Sequence, residues 1–251
     1  MQLVILTALA VGGSTVVGAV LGFLFKRIPH KFNDAILGFA AGVMLAAAII
    51  GLILPAVETS ENQGIWVVVV GILAGAAFLN VIDRFMPHLH KLTGLEKEEH
   101  ENHAQVNKIL LFVMAIAIHN LPEGIAAGVG FGNENLSDAF SVAAGICLQN
   151  IPEGMVIISP MLAAGIPKGR TFFLAMLTGL VEVAGTFLGY FTVRVATVIL
   201  PFALAFAGGT MLYVISDEMI PETHSHGYER MATYSLLIGF LLMLLMDYYM
   251  G

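Results

Sequence analysis

Apolar runs long enough to cross a bilayer recur along the whole chain, and they constrain its fold more than any other feature. A transmembrane helix needs about 20 consecutive apolar residues. Such runs span residues 3–25, 34–55, 65–86, 108–131, 138–163, 170–192, 199–220 and 231–249. Hydrophobic residues make up 58% of the chain and charged residues only 12%, which excludes a soluble globular domain. We therefore predict an all-α polytopic membrane protein, with eight transmembrane helices in one domain, residues 1–251.

Basic residues fall on one side of these predicted spans. Of the eleven lysines and arginines, only Arg194 lies in an even-numbered connection. Because cytosolic loops carry an excess of lysine and arginine, the odd-numbered connections are predicted to be cytosolic, with both termini outside. A bacterial inner membrane is the expected location. The third connection, about 87–107, contains histidine and glutamate and no apolar pattern, and it divides the spans into a 3+2+3 arrangement.

Two similar hexapeptides interrupt the fourth and fifth runs. The first reads His-Asn-Leu-Pro-Glu-Gly at 119–124, and the second reads Gln-Asn-Ile-Pro-Glu-Gly at 149–154. Residues four apart share one helical face, so His119 lies beside Glu123, and Gln149 lies beside Glu153. A short connection makes these spans antiparallel neighbours, which predicts that the polar side chains of both motifs, including Asn120 and Asn150, converge at one depth.

Three carboxylates fall near the middle of predicted spans: Glu123, Glu153 and Glu182. An unpaired charge at that depth costs about 2.5–3.5 kcal/mol on insertion scales. The usual partner is lysine or arginine, but all eleven basic residues lie in connections or at span ends. The compensating charge must therefore come from outside, as a proton or a metal ion.

The accompanying side chains favour a metal ion over a proton. Imidazole, carboxylate and amide groups together form a mixed nitrogen and oxygen ligand set, which suits Zn²⁺, Fe²⁺, Mn²⁺ or Cd²⁺. The single cysteine, Cys147, offers neither a disulfide nor a thiolate site. We expect such an ion to be a transported substrate, with no resident cofactor, and no basic stripe indicates a nucleic-acid partner.

The paired motifs and the eight-span plan resemble the ZIP family of divalent metal transporters, in particular its GufA-like branch. The resemblance implies import to the cytosol, a homodimer, and an elevator-like movement of spans 1, 4, 5 and 6 against spans 2, 3, 7 and 8. It also implies a binuclear site. One metal would be bound by His119, Glu123, Gln149 and Glu153, with Met44 near it, and the second by Asn120, Glu123, Asn150, Glu153 and Glu182. Some members have aspartate where this chain has Asn150, so the amide lowers the negative charge of the site.

Polar residues outside the motifs could form a metal pathway. Glu58 and Glu61 lie at the outer end of span 2. On the cytosolic side the candidates are His88, His90, Asp217, Glu218, Glu222 and His224. Asp247 fits a surface acid at a span end.

Other functions use the same residues in different ways. A membrane-embedded metal-dependent hydrolase would use the ligands to activate water, yet the chain has no His-Glu-x-x-His or serine-lysine arrangement. A proton-linked carrier of organic substrates would need a wider polar pocket. A metal sensor would bind ions without moving them. A metal transporter that is not an enzyme is our leading hypothesis.

Overall fold

The computed structural model describes residues 1–24, 29–85, 120–131, 136–163, 165–195 and 197–250, and no strand occurs among them. The helices are α1 (Gln2–Gly22), α2 (His30–Thr59), α3 (Trp66–Phe85), α4 (120–130), α5 (Leu136–Ala163), α6 (Lys168–Val195), α7 (Leu200–Thr223) and α8 (Glu229–Met250). Each coincides with one of the predicted apolar runs. The prediction of an all-α fold is confirmed over these residues.

Helix length and composition indicate a multi-pass membrane protein. Of the described helices, six are long and apolar enough to cross a membrane: α1, α2, α5, α6, α7 and α8. Helix α3 contains a shorter apolar stretch, Trp66–Val81. The surface of α8 exposes Leu241, Leu244 and Leu245, as expected for side chains that face lipid instead of water.

Helices α2 and α7 share an irregularity in their second half. Each contains a π-helical stretch, Ala47–Ile53 in α2 and Ile215–Met219 in α7, and each continues as α-helix with a proline at its second position, Pro55 or Pro221. Proline cannot donate to the carbonyl one turn earlier and its ring clashes with that carbonyl. A wider turn before the proline relieves this conflict without ending the helix.

Helices α1, α4, α5 and α6 form one group, the site bundle, in which glycines allow the backbones to touch. A Cβ on Gly18 of α1 would lie 2.1 Å from the Ile151 carbonyl oxygen of α5, and one on Gly124 of α4 would lie 2.2 Å from the Glu182 carbonyl oxygen of α6. A methyl group does not fit at either position. Small residues therefore set the spacing of these helices, as is common in lipid.

Helices α2, α3, α7 and α8 form a second group, the flanking bundle, by the same device. Gly42 of α2 faces the Leu236 carbonyl oxygen of α8, at 1.9 Å from a Cβ built on the glycine. Gly209 of α7 faces the Ile72 carbonyl oxygen of α3 at 2.3 Å. Backbone therefore meets backbone within the flanking bundle too.

The two bundles meet chiefly through α5, and here glycines face side chains. Gly51 of α2 faces the Val142 side chain at 2.3 Å from a built Cβ, and Gly145 of α5 faces the Met243 thioether of α8 at 2.6 Å. Val142, Gly145 and Gln149 follow the spacing of one helical face. The face of α5 that meets the flanking bundle therefore runs directly into the second motif.

Adding a methyl group at Gly42 should destabilise the flanking bundle. Because the Leu236 carbonyl belongs to backbone and cannot rotate away, Gly42→Ala is expected to lower the free energy of unfolding by about 1–3 kcal/mol, the usual effect of overpacking. Gly13→Ala is the matched control, since nothing lies within 4 Å of its Cβ position. Thermal unfolding in detergent compares the two variants. Equal melting temperatures would contradict the close packing described here.

Candidate metal centre

Polar side chains of α4, α5 and α6 meet inside the site bundle. Asn120, Glu123, Gln149, Asn150 and Glu182 are all buried. The first two come from the motif on α4, the next two from the motif on α5, and the last from α6. The structure brings these five predicted site residues together through side-chain hydrogen bonds. Pro152 does not end α5, which continues to Ala163.

Hydrogen bonds tie the carboxylates to the amides. The Gln149 side-chain nitrogen donates to Glu123 Oε1 at 2.7 Å, and the Asn150 nitrogen donates to Glu182 Oε2 at 2.7 Å. The Asn120 nitrogen donates to Glu182 Oε1. Each amide therefore uses its NH₂ group on a carboxylate, which leaves its oxygen facing elsewhere.

Three buried oxygens at this site have no hydrogen-bond partner among the residues that the structure describes: Glu123 Oε2, Gln149 Oε1 and Asn150 Oδ1. A buried polar atom without a partner costs about 1–3 kcal/mol, and more when it is charged. All three atoms are acceptors, so only a donor or a cation can satisfy them. Carboxylate and amide oxygens are ligands for divalent cations, and the residues present therefore fit a metal ion.

Helix α1 also reaches the site, which the sequence did not predict. The Thr15 hydroxyl donates to Glu182 Oε1 at 2.6 Å, and the Val11 carbonyl oxygen accepts a hydrogen bond from Asn150 at 3.2 Å. A threonine and a backbone carbonyl inside an apolar run carry no recognisable motif. The only available signal was their spacing of four residues, which places both on one face of α1.

The remaining predicted ligands are Glu153, Met44 and His119, of which the structure describes the first two. Glu153, on α5, interacts electrostatically with Glu123 and Glu182. Met44 is buried in the apolar core against which α5 packs. His119 lies outside the described residues. Within the described ranges, no three histidine, cysteine or acidic side chains stand together at metal-ligand spacing.

The predicted pathway residues lie at the ends of α2 and α7. Glu58 and Glu61 are exposed, as is Asp217, whereas Glu218 is buried in the π-helical stretch of α7, and Glu222 and His224 are half-buried. His88 and His90 lie outside the described residues. These positions agree with the predicted ones for Glu58 and Glu61, and the structure adds that Glu218 points into protein.

Two polar contacts were not predicted. Asp34 of α2 is fully buried, and its Oδ1 lies 3.0 Å from His226 Nδ1 in the connection between α7 and α8. Asp247 of α8 accepts a hydrogen bond from the buried Ser141 of α5 at 3.0 Å. The prediction that Asp247 is an ordinary surface acid was therefore incomplete, because the Asp247 carboxylate joins the two bundles.

Comparison with known proteins places this chain in a family. Residues 90–247 match the family described as ZIP Zinc transporter. The chain is 40% identical to the zinc transporter GufA of Myxococcus xanthus, over 98% of both proteins. This chain belongs to the ZIP family. It is also 37% identical to the zinc transporter ZIPB of Bordetella bronchiseptica, over 95% of this chain and 78% of that protein. Human zinc transporter ZIP11 is 32% identical over 95% and 94%.

Membership of the ZIP family confirms the resemblance seen in the sequence, including its GufA-like character. The family is one of membrane transporters, so the expectation that the chain is not an enzyme is confirmed. The paired motifs pointed to this family because two Pro-Glu-Gly sequences inside apolar helices place polar groups at a depth where such groups are usually functional.

Removing the Gln149 amide should weaken metal binding by this ZIP protein. Gln149→Leu deletes an unpaired oxygen and the donor to Glu123 Oε1, so we expect the Kd for Zn²⁺ to rise about 10- to 100-fold, the usual effect of disturbing a metal's ligand shell. Leu148→Met is the control, as a volume-conserving change on the neighbouring residue. Calorimetric titration of the detergent-solubilised protein measures both. An unchanged Kd for Gln149→Leu would remove this residue from the site.

Proposed function

We propose that this ZIP protein carries divalent transition-metal ions, zinc foremost and also iron, manganese and cadmium, across the membrane into the cytosol. The observation that carries the proposal is the set of three buried oxygens, on Glu123, Gln149 and Asn150, that find no hydrogen-bond partner within the described part of the chain. A hydrocarbon-embedded site of this kind is costly unless a cation occupies it. The names of the relatives, which are zinc transporters, support zinc as the substrate.

The proposed ligands form two adjacent metal positions. The first consists of His119, Glu123, Gln149 and Glu153, with Met44 beside it, and the second of Asn120, Glu123, Asn150, Glu153 and Glu182. The second position has less negative charge than it would have with an aspartate, because Asn150 is neutral. Weak ligands nevertheless suit a transporter, because an ion bound only by carboxylates would be released slowly.

We further propose the complete topology: eight spans in a 3+2+3 arrangement, both termini outside, in a bacterial inner membrane. The pattern of helix packing supports an inverted repeat of α1–α3 and α6–α8. Under that exchange α2 corresponds to α7, and both have a π-helical stretch before a proline. The pair α2 and α8 corresponds to the pair α7 and α3, and both pairs pack through glycine.

The distribution of glycine contacts supports an elevator-like movement of the site bundle against the flanking bundle. Inside each bundle, glycines such as Gly18 and Gly42 lock backbone to backbone. Between the bundles, Gly51 and Gly145 meet the side chains of Val142 and Met243. Backbones that touch cannot slide without breaking close packing, whereas flexible side chains can repack against a smooth surface. The two bundles are therefore suited to move as rigid bodies.

Ions would approach through Glu58 and Glu61 and leave past Asp217, Glu218, Glu222, His224 and the histidines His88 and His90. A single transmembrane domain, with its polar loop at about 87–107 on the cytosolic side, forms each subunit of a homodimer in this proposal.

Transport can be tested in liposomes loaded with a metal-sensitive dye. Purified protein should admit Zn²⁺, and Glu123→Ala or His119→Ala should abolish the flux, because each removes a group that compensates or coordinates the ion. Gly169→Ala is the control, since nothing lies within 4 Å of its Cβ position. Binding without flux would contradict transport, and flux that survives both substitutions would contradict the assigned site.

Relative movement of the bundles can be tested by a crosslink. Ser141 and Asp247 lie on different bundles and their side chains touch at 3.0 Å. In a Cys147→Ser background, the pair Ser141→Cys and Asp247→Cys should form a disulfide on oxidation and stop Zn²⁺ flux, and reduction should restore it. The reduced protein and the two single-cysteine variants are the controls. Full flux through the crosslinked protein would contradict an elevator-like movement.

A further inference from the structure

Thr15 is the one residue of α1 whose side chain enters the metal centre by a direct hydrogen bond to a carboxylate, among the residues described. It is 1% exposed, and its hydroxyl donates to Glu182 Oε1 at 2.6 Å across 167 positions of sequence. Helix α1 contains no acidic or basic residue. Charges on α1 therefore do not explain this contact. Its role depends on what Glu182 does in the site.

The hydroxyl of Thr15 behaves differently from those of other buried threonines. Thr178 and Thr210 donate to carbonyls of their own helices, Ala175 and Ala207, at 2.8 and 2.7 Å. Such bonds to the preceding turn are the ordinary way for threonine to satisfy its hydroxyl inside a helix. The Thr15 hydroxyl instead bridges to a carboxyl group on another helix.

Glu182 is in turn the anchor for the two asparagines. Its Oε1 accepts from Thr15 and Asn120, and its Oε2 accepts from Asn150. The Asn150 nitrogen also donates to the Val11 carbonyl, one turn before Thr15. Both acceptors hold the NH₂ end of this amide, and its buried Oδ1 therefore points elsewhere, with no hydrogen-bond partner among the described residues.

Loss of the Thr15 hydroxyl would remove the hydrogen bond from α1 to Glu182 Oε1. Glu182 would keep only amide donors, and these belong to the same side chains that the metal needs as ligands. Without the Thr15 hydroxyl, Glu182 Oε1 would be held less firmly, and the Asn150 amide, which donates to the same carboxylate, would be less well oriented.

We propose that Thr15 is a positioning residue of the metal centre: it fixes Glu182, and through Glu182 it presents the Asn150 oxygen to the ion. The proposal rests on the proposed function, because it concerns the same centre. It assigns to α1 a role in substrate affinity, in addition to packing.

The test compares three variants: Thr15→Val, which removes the hydroxyl at nearly constant shape; Thr15→Ser, which keeps it; and Thr178→Val, a buried threonine with an own-helix bond. Calorimetric titration with Zn²⁺ gives Kd, and liposome flux gives KM and kcat. For Thr15→Val we expect Kd and KM to rise about tenfold, the effect of losing one hydrogen bond to a charged group. Thr15→Ser and Thr178→Val should remain close to the wild type in both constants.

A double-mutant cycle with Glu182→Gln separates positioning from simple packing. If Thr15 acts through the Glu182 carboxylate, Thr15→Val should have little further effect on Kd in the Glu182→Gln background. Equal losses in both backgrounds, or equal losses for Thr15→Val and Thr15→Ser, would overturn the proposal. So would a Thr15→Val protein with wild-type Kd. If Thr15→Val fails to fold, Thr15→Ala replaces it in the same cycle.

The two proposals can fail separately. If the wild-type protein binds Zn²⁺ but does not transport it, the proposed function is wrong, while Kd still tests Thr15. If the wild-type protein transports Zn²⁺ and Thr15→Val does so with unchanged KM, the role of Thr15 is wrong and the proposed function stands.

Discussion

The structure depends on carboxylates that are buried among apolar helices without a basic partner. Glu123 and Glu182 lie inside the site bundle, and each lysine or arginine whose exposure the structure describes is at the surface. The protein stabilises these groups with neutral donors, the amides of Gln149 and Asn150 and the hydroxyl of Thr15. Neutral donors orient a carboxylate without cancelling its charge, so an incoming cation retains its electrostatic attraction to the site.

This arrangement explains why the helices around the site must be packed so closely. Hydrogen bonds between side chains on different helices require those helices to keep a fixed spacing. Glycines such as Gly124, which faces the Glu182 backbone, provide that spacing directly beside the polar residues. The same glycine therefore contributes to stability and to the position of a candidate ligand. The flanking bundle, in contrast, meets α5 mainly through apolar side chains, with the Ser141–Asp247 hydrogen bond as a polar contact.

Much of the fold and of the site was predictable from sequence because both depend on local patterns. Apolar runs predicted the helices, and helical spacing predicted that Asn120 lies beside Glu123 and Gln149 beside Glu153. The contacts of Thr15, Asp34 and Asp247 were not predictable, since each joins residues more than 100 positions apart. Such pairs follow from the way helices rotate and pack, and one sequence contains no periodic signal for that rotation.

Helix α5 carries both the second motif and the face that meets the flanking bundle, and this has a consequence for how the chain can vary in length. One residue turns an α-helix by about 100°. An insertion or deletion between Val142 and Gln149 would therefore swing the motif away from Glu123 and Glu182 while leaving the bundle contact in place. We therefore expect the number of residues between Val142 and Gln149 to be fixed, and insertions to be tolerated only in the connections on either side of α5.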